Sequence, residues 1–163
     1  MFMDRDIVPG SSRRIASIAE CRPELQQLET LWQRLRGDRR MPARRDFDPM
    51  AVPKLLPRIY LVDVFPDAPL EQRYRVRLQG TEEVRSIGAD WTGLFLHQAA
   101  ERGAADRLVA VAEQVATARE PWISTGRLYW IPEKPFYHFE SLLLPLSDDD
   151  DIVNMILGLT IVF

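Results

Sequence analysis

One cysteine and two histidines are all that this chain of 163 residues offers as thiol and imidazole chemistry. Cys21 alone closes no internal disulfide and builds no cysteine zinc site. No apolar run approaches the roughly 20 residues of a membrane span, so a membrane is not an expected partner. The opening residues, MFMDRDIVPG, include acids and lack a continuous apolar stretch, and so do not read as a signal peptide. There is no Gly-x-Ser-x-Gly elbow, no glycine-rich phosphate loop and no histidine pair at metal spacing. No catalytic residue and no metal ligand are therefore assigned. A net charge of −3 argues against bulk nucleic-acid binding. What these absences leave is a cytoplasmic, non-enzymatic domain long enough to bury a core of its own.

The residues that are present alternate in informative ways. Tyr74, Val76 and Leu78 alternate with Arg73, Arg75, Arg77 and Gln79, a strand with one apolar and one cationic face. Gly80 breaks it, Thr81 with Glu82 and Glu83 reads as a hydroxyl-capped helix start, and Gly88 ends that helix after barely two turns. Leu25, Leu28, Leu31, Trp32 and Leu35 recur at helical spacing between Pro23 and Gly37. Residues 103–118 repeat the pattern through Leu108, Val111, Ala112 and Val115. Ile59–Phe65 reads as a first strand, and Trp122–Trp130, Phe136–Leu146 and Ile152–Phe163 as three more. The last is apolar on both faces, which implies a central strand covered on both sides.

The expected fold is thus α+β: a five-stranded antiparallel sheet with helices on one face and an N-terminal helix outside that core. Residues 1–21 are expected as a mobile tail, 22–37 as a helix for dimerisation or for capping the sheet, and 38–163 as the core. The acid run Asp148–Asp151 is expected to be a solvated hairpin tip.

This element order resembles the PAS domain. LWQRLRGDRRMPARRDFDP (Leu31 to Pro49), LLPRIYLVDV, YRVRLQGTE, the DWTG that follows Gly88, and LLLPLSDD resemble a bacterial subfamily of stand-alone PAS proteins. The resemblance implies a sensory or regulatory module of bacterial signalling. It also implies dimerisation through an N-terminal helix, here through Leu25, Leu28, Trp32 and Leu35, and a possible signalling protein partner. Flavin and haem are the cofactors the resemblance brings to mind. Cys21 precedes the core, so a flavin–cysteine adduct is excluded. His97 and His138 are read as wall residues, which makes haem unlikely and leaves the cofactor unknown.

Core packing is the simpler explanation of the many rings; the functional one is a cavity for a small apolar or amphipathic ligand. On that reading Trp91, His97, Trp122, Tyr129, His138 and Glu140 line the site, and strand alternation puts His138 and Glu140 on one face. The arginines of RLRGDRRMPARRDFD suit a solvated linker; a weaker reading gives Arg44 and Arg45 an anion. Two rivals remain. One is a cone-shaped α+β isomerase or hydratase using His138 or Asp90 as base. The other is an adaptor with a filled core and no ligand.

Overall fold

The computed structural model describes residues 12–14, 17–134 and 136–163. Of the stretch expected as a tail, residues 1–11, 15 and 16 lie outside the described residues. Ser12–Arg14 forms a short strand, β1, and Ile18–Glu20 a single 3-10 turn capped by Ser17. Besides four further 3-10 turns, the remaining elements are α1 (Pro23–Arg36), β2 (Ile59–Val64), β3 (Tyr74–Gln79), α2 (Thr81–Ile87), α3 (Leu96–Ala99), α4 (Arg102–Ala118), β4 (Trp122–Arg127), β5 (His138–Leu146) and β6 (Met155–Val162).

The five expected strands form one antiparallel sheet, and β1 adds a sixth at its edge, in the order β1-β4-β5-β6-β2-β3. β6 lies in the middle, and every residue from Met155 to Ile161 is buried, as its two apolar faces demand. β4 stops at Arg127 although the apolar run continues. Leu128, Trp130 and Ile131 leave the ladder to pack with Phe139 and Ala104 in a second, smaller cluster. Val76 exchanges backbone hydrogen bonds with the 93–94 segment, its N–H to Leu94 O and its O from Gly93 N, both at 2.8 Å.

α2, α3 and α4 cover one face of the sheet and α1 the other. α4 turns Val111, Ala112 and Val115 inward, the stripe its spacing predicts. α1 starts on Pro23, where a missing N–H costs nothing, and ends at Gly37 with φ of 57°. Its Leu25 and Leu28 are fully buried against the sheet, and the indole N–H of Trp32 donates to the Pro145 carbonyl at 2.9 Å. Each such side chain contributes about 1.5–3 kcal/mol through burial. α1 therefore caps the sheet within its own chain, and Leu35 packs at the margin of the same cluster.

Two glycines set close approaches. Gly80, not Thr81, caps α2. A Cβ on Gly80 would sit 2.3 Å from the Pro57 carbonyl oxygen, so only glycine lets α2 begin against that turn. A Cβ on Gly158 would sit 2.1 Å from the ring of Tyr60, which lies across the strand.

The acid run is more than a solvated tip. Asp149 accepts from the N–H groups of Asp151 and Ile152 and from the Ser147 hydroxyl, which holds its carboxyl below the usual range. Asp150 accepts from the N–H groups of Arg40 and Met41 at 2.8 and 3.0 Å, tying the long arginine-rich loop to the hairpin.

Candidate functional site

Between the sheet and the helices α2 and α4 lies a partly enclosed cavity of about 80 Å³. Its floor is the inner face of the strands: Tyr60 and Val62 from β2, Ser124 from β4, Ser141 and Leu143 from β5, Thr160 from β6. Leu108, Val111 and Ala112 of α4 form its roof. One end is aromatic, with Trp91, Tyr129, Trp130 and Phe139. Tyr129, Trp130 and Phe139 pack edge to face with centroids 4.8–5.9 Å apart. α2 contributes Glu83 and Ile87 to the wall, and Ile87 packs against the aromatic cluster.

The polar groups of the wall differ in how far they are satisfied. Ser141 and Thr160 share a hydrogen bond at 2.9 Å, and Thr160 lies 3.4 Å from the Tyr60 hydroxyl. Gln79 accepts from the Trp91 N–H through Oε1 at 2.5 Å. Glu83 is 7 % exposed and, among the described residues, has no hydrogen-bond or ion-pair partner. Burial alone pushes its carboxyl up to about 8. Burial pushes the Tyr60 hydroxyl up to about 12, and raises that of Tyr129 as well. Arg107 stands over the Tyr129 ring at 5.5 Å but is not part of the cavity wall.

Trp91 and Tyr129 are therefore cavity residues, as the sequence suggests; the other four expected there are not. Trp122 is buried in the main core outside the cavity wall. His97 lies exposed on α3. His138 and Glu140 do share a face, but it is the α1 face of β5, opposite Phe139, Ser141 and Leu143. Glu140 accepts from the Arg22 N–H at 2.8 Å at the start of α1, and His138 is exposed beside the Phe163 ring. Asp90 is exposed as well, so neither base of the isomerase reading reaches the cavity.

Leu25, Leu28 and Trp32 are buried against their own sheet, and Leu35 packs at its margin. The arginines are partly engaged too. Arg44 donates to the Phe47 carbonyl at 3.1 Å, Arg39 pairs with Asp46 at 2.8 Å, and exposed Arg45 lies 3.7 Å from Asp148. Cys21 is buried at the start of α1, and desolvation pushes its thiol up to about 11.

Glu83 is the residue the sequence reading missed. The signal was present: Glu83 and Ile87 are four apart on one face of α2, whereas Glu82 pairs outward with Arg85 at 2.6 Å.

The cavity bounds its occupant. A cavity of about 150 Å³ accommodates benzene, and this one, at about 80 Å³, is too small for a three-ring isoalloxazine or a haem in this arrangement of side chains.

No curated protein matches the chain in sequence. Among solved structures, the PAS domain of Bordetella pertussis BvgS is similar, with 16% identity over 85% of this chain and 87% of that one, at a TM-score of 0.51. A Rhodobacter sphaeroides LOV protein matches with 16% identity over 64% of this chain, at a TM-score of 0.48. An RNA-binding Light-Oxygen-Voltage receptor matches with 15% identity over 74% of this chain, also at 0.48. This chain spans 58% of the first of these two and 35% of the second. The BvgS likeness shows the fold. The PAS domain family matches the sequence itself over residues 21–161, and with sheet, helices and match in agreement the chain belongs to the PAS-domain family.

Proposed function

We propose that this PAS sensory domain acts by binding: a small molecule enters the cavity beneath α4, and its occupancy alters a contact with a protein partner in bacterial signalling. The observation that carries the reading is the cavity itself, apolar over most of its wall and supplied with a few inward polar groups, the usual form of a small-molecule site. A ligand changes the contact only through unequal affinity for two states of the protein. β5 is the natural coupling element. Ser141 and Leu143 face the cavity, while Pro145 on the same strand holds Trp32 of α1.

The work is proposed to be cytoplasmic and non-catalytic. No helix among the described residues is long and apolar enough to cross a membrane. The partner, a second copy of the chain or a signalling protein, is proposed to meet the outward residues Gln27, Thr30 and Arg34 of α1, since its apolar stripe is used internally. Sedimentation of Thr30→Glu tests that face: assembly identical to that of the unaltered protein removes it.

The experiment for the cavity is methyl NMR of the protein with a panel of small probes, both neutral and charged, in the unaltered chain and in Ala112→Leu. Ala112 lies in the cavity roof, and the larger side chain fills it. Binding predicts shifts at Leu108, Val111, Leu143 and Ile156 that vanish in Ala112→Leu. If no probe of any class shifts these methyls, the cavity is a packing void and the ligand-free adaptor takes its place.

A further inference from the structure

Among the described residues, Glu83 is the one carboxyl of the cavity wall, and no lysine, arginine or histidine lines that wall to pair with it. Its helix does not explain it. Glu82, its neighbour, already supplies an outward first-turn acid and is engaged by Arg85. A buried carboxyl without a partner costs stability in the empty protein, and that cost falls only when a complementary group arrives. The rest of the wall narrows the identity of that group. Tyr60, Trp91, Tyr129, Trp130 and Phe139 surround the cavity with aromatic rings, whose faces carry partial negative charge. Rings and a carboxyl without any basic side chain form a pocket that favours positive charge.

We propose that the cavity binds the ammonium head of a small amine, with Glu83 as its counter-ion and the aromatic end as its wall. This inference rests on the ligand-binding reading above and names the chemical class of the ligand. The size of the cavity limits that ligand to a short alkylammonium or one of similar bulk. Tyr60 of β2 interacts electrostatically with Glu83, Gln79, Trp91 and Tyr129 line the same cavity, and Arg107 of α4 stands over the Tyr129 ring at 5.5 Å without lining the wall. Lys134 donates to the carbonyl of Ser86 on the same helix at 2.7 Å and is absent from the cavity wall. Burial raises the carboxyl to about 8, whereas the tyrosines titrate well above it. Glu83 must therefore release its proton to pair with an ammonium ion, and the amine's affinity should increase by about tenfold per pH unit below pH 8.

The probe is propylammonium chloride, with 1-propanol as its neutral counterpart of matching size. Four heavy atoms limit the affinity to no tighter than roughly 40 μM, so chemical-shift titration at millimolar concentrations is the assay. The expected result is saturable propylammonium binding at the cavity methyls, at least about tenfold tighter than propanol. It weakens about tenfold or more in Glu83→Gln and strengthens from pH 6.5 to 8. Binding of propanol as tight as that of propylammonium, or affinity unchanged in Glu83→Gln, overturns the proposal. The pH series needs no substitution, and an affinity that falls as pH rises overturns the proposal equally, since it assigns Glu83 as a neutral donor to an uncharged ligand. If neutral probes seat in the cavity and the ammonium does not, this inference fails while the ligand-binding reading stands. If nothing seats there, both fail.

Discussion

Replacing Glu83 by glutamine should make the folded protein more stable, and increasingly so as pH rises. The ordinary carboxyl value of 4.5 applies to the unfolded chain, and burial raises it to about 8 in the folded one. Between those values the folded state keeps a proton that the unfolded state has lost. Stability carried by this proton is complete below pH 4.5 and is lost as pH rises toward 8, at about 1.4 kcal/mol per pH unit. The full window amounts to roughly 4–5 kcal/mol, and about 3 kcal/mol is already lost at pH 7. Glutamine keeps the shape and hydrogen-bonding atoms of the neutral acid but does not titrate. Urea denaturation of both proteins at pH 5, 6.5 and 8 gives the difference directly, and every other titrating group is common to both and cancels. The expected difference is small at pH 5 and several kcal/mol at pH 8, in favour of Glu83→Gln. Curves that stay parallel across the three pH values refute the argument, because they mean that Glu83 is ionised or paired in the folded state. The same variant is expected to bind propylammonium poorly, a trade of stability against function in one side chain.

Trp32→Phe removes the indole N–H and leaves the buried Pro145 carbonyl without its donor. A loss of about 1–3 kcal/mol in urea denaturation is expected, and a loss within experimental error would show that α1 is not fixed to β5 by this bond. Gly80→Ala should be more damaging than Gly158→Ala, although both create overlaps. At Gly80 the obstruction is the backbone of Pro57 and Leu56, at Gly158 the movable ring of Tyr60. Midpoints in the reverse order refute the packing argument; the milder change is expected to cost about 1–3 kcal/mol. Cys21, raised from 9.0 to about 11 and buried, should react with a thiol reagent about 100-fold more slowly in the folded protein than after unfolding. Equal rates would place the start of α1 in solvent.

Patterns with a strong period were legible in the sequence. The stripe of α1, the stripe of α4 and the two apolar faces of β6 each predict a burial that the structure contains. The cavity was legible only in part. Along β5, alternation groups His138 with Glu140, Leu142 and Leu144, and Phe139 with Ser141 and Leu143. Both groups mix polar with apolar residues and the sheet is covered on both sides, so alternation alone does not say which group faces the helices. The polar pair at the start of the strand drew the assignment to the wrong face, where Glu140 holds Arg22 instead. Glu83 was hidden for a related reason. Acids in the first turn of a helix have a sufficient explanation in the helix dipole, and only the distance from Glu83 to Ile87 hinted at an inward side chain. The strand at Ser12–Arg14 has no period long enough to detect, since three residues make barely one alternation.

The two ends of the sheet carry a consequence for solubility. A bare strand edge is a template on which a second chain can extend the ladder, and exposed edges are a common origin of aggregation. At β3 the 93–94 segment satisfies both backbone groups of Val76, and the cationic side chains of Arg75 and Arg77 stand beside it. At the opposite end, among the described residues, the three residues of β1 shield β4 at Gly126, Thr125 and Ser124. A chain shortened to begin at Cys21 would keep the whole cavity and all of α1 yet present β4 uncovered. Such a protein is expected to fold and then associate strand to strand, with a concentration-dependent increase in size that adding back the lost segment as a peptide suppresses.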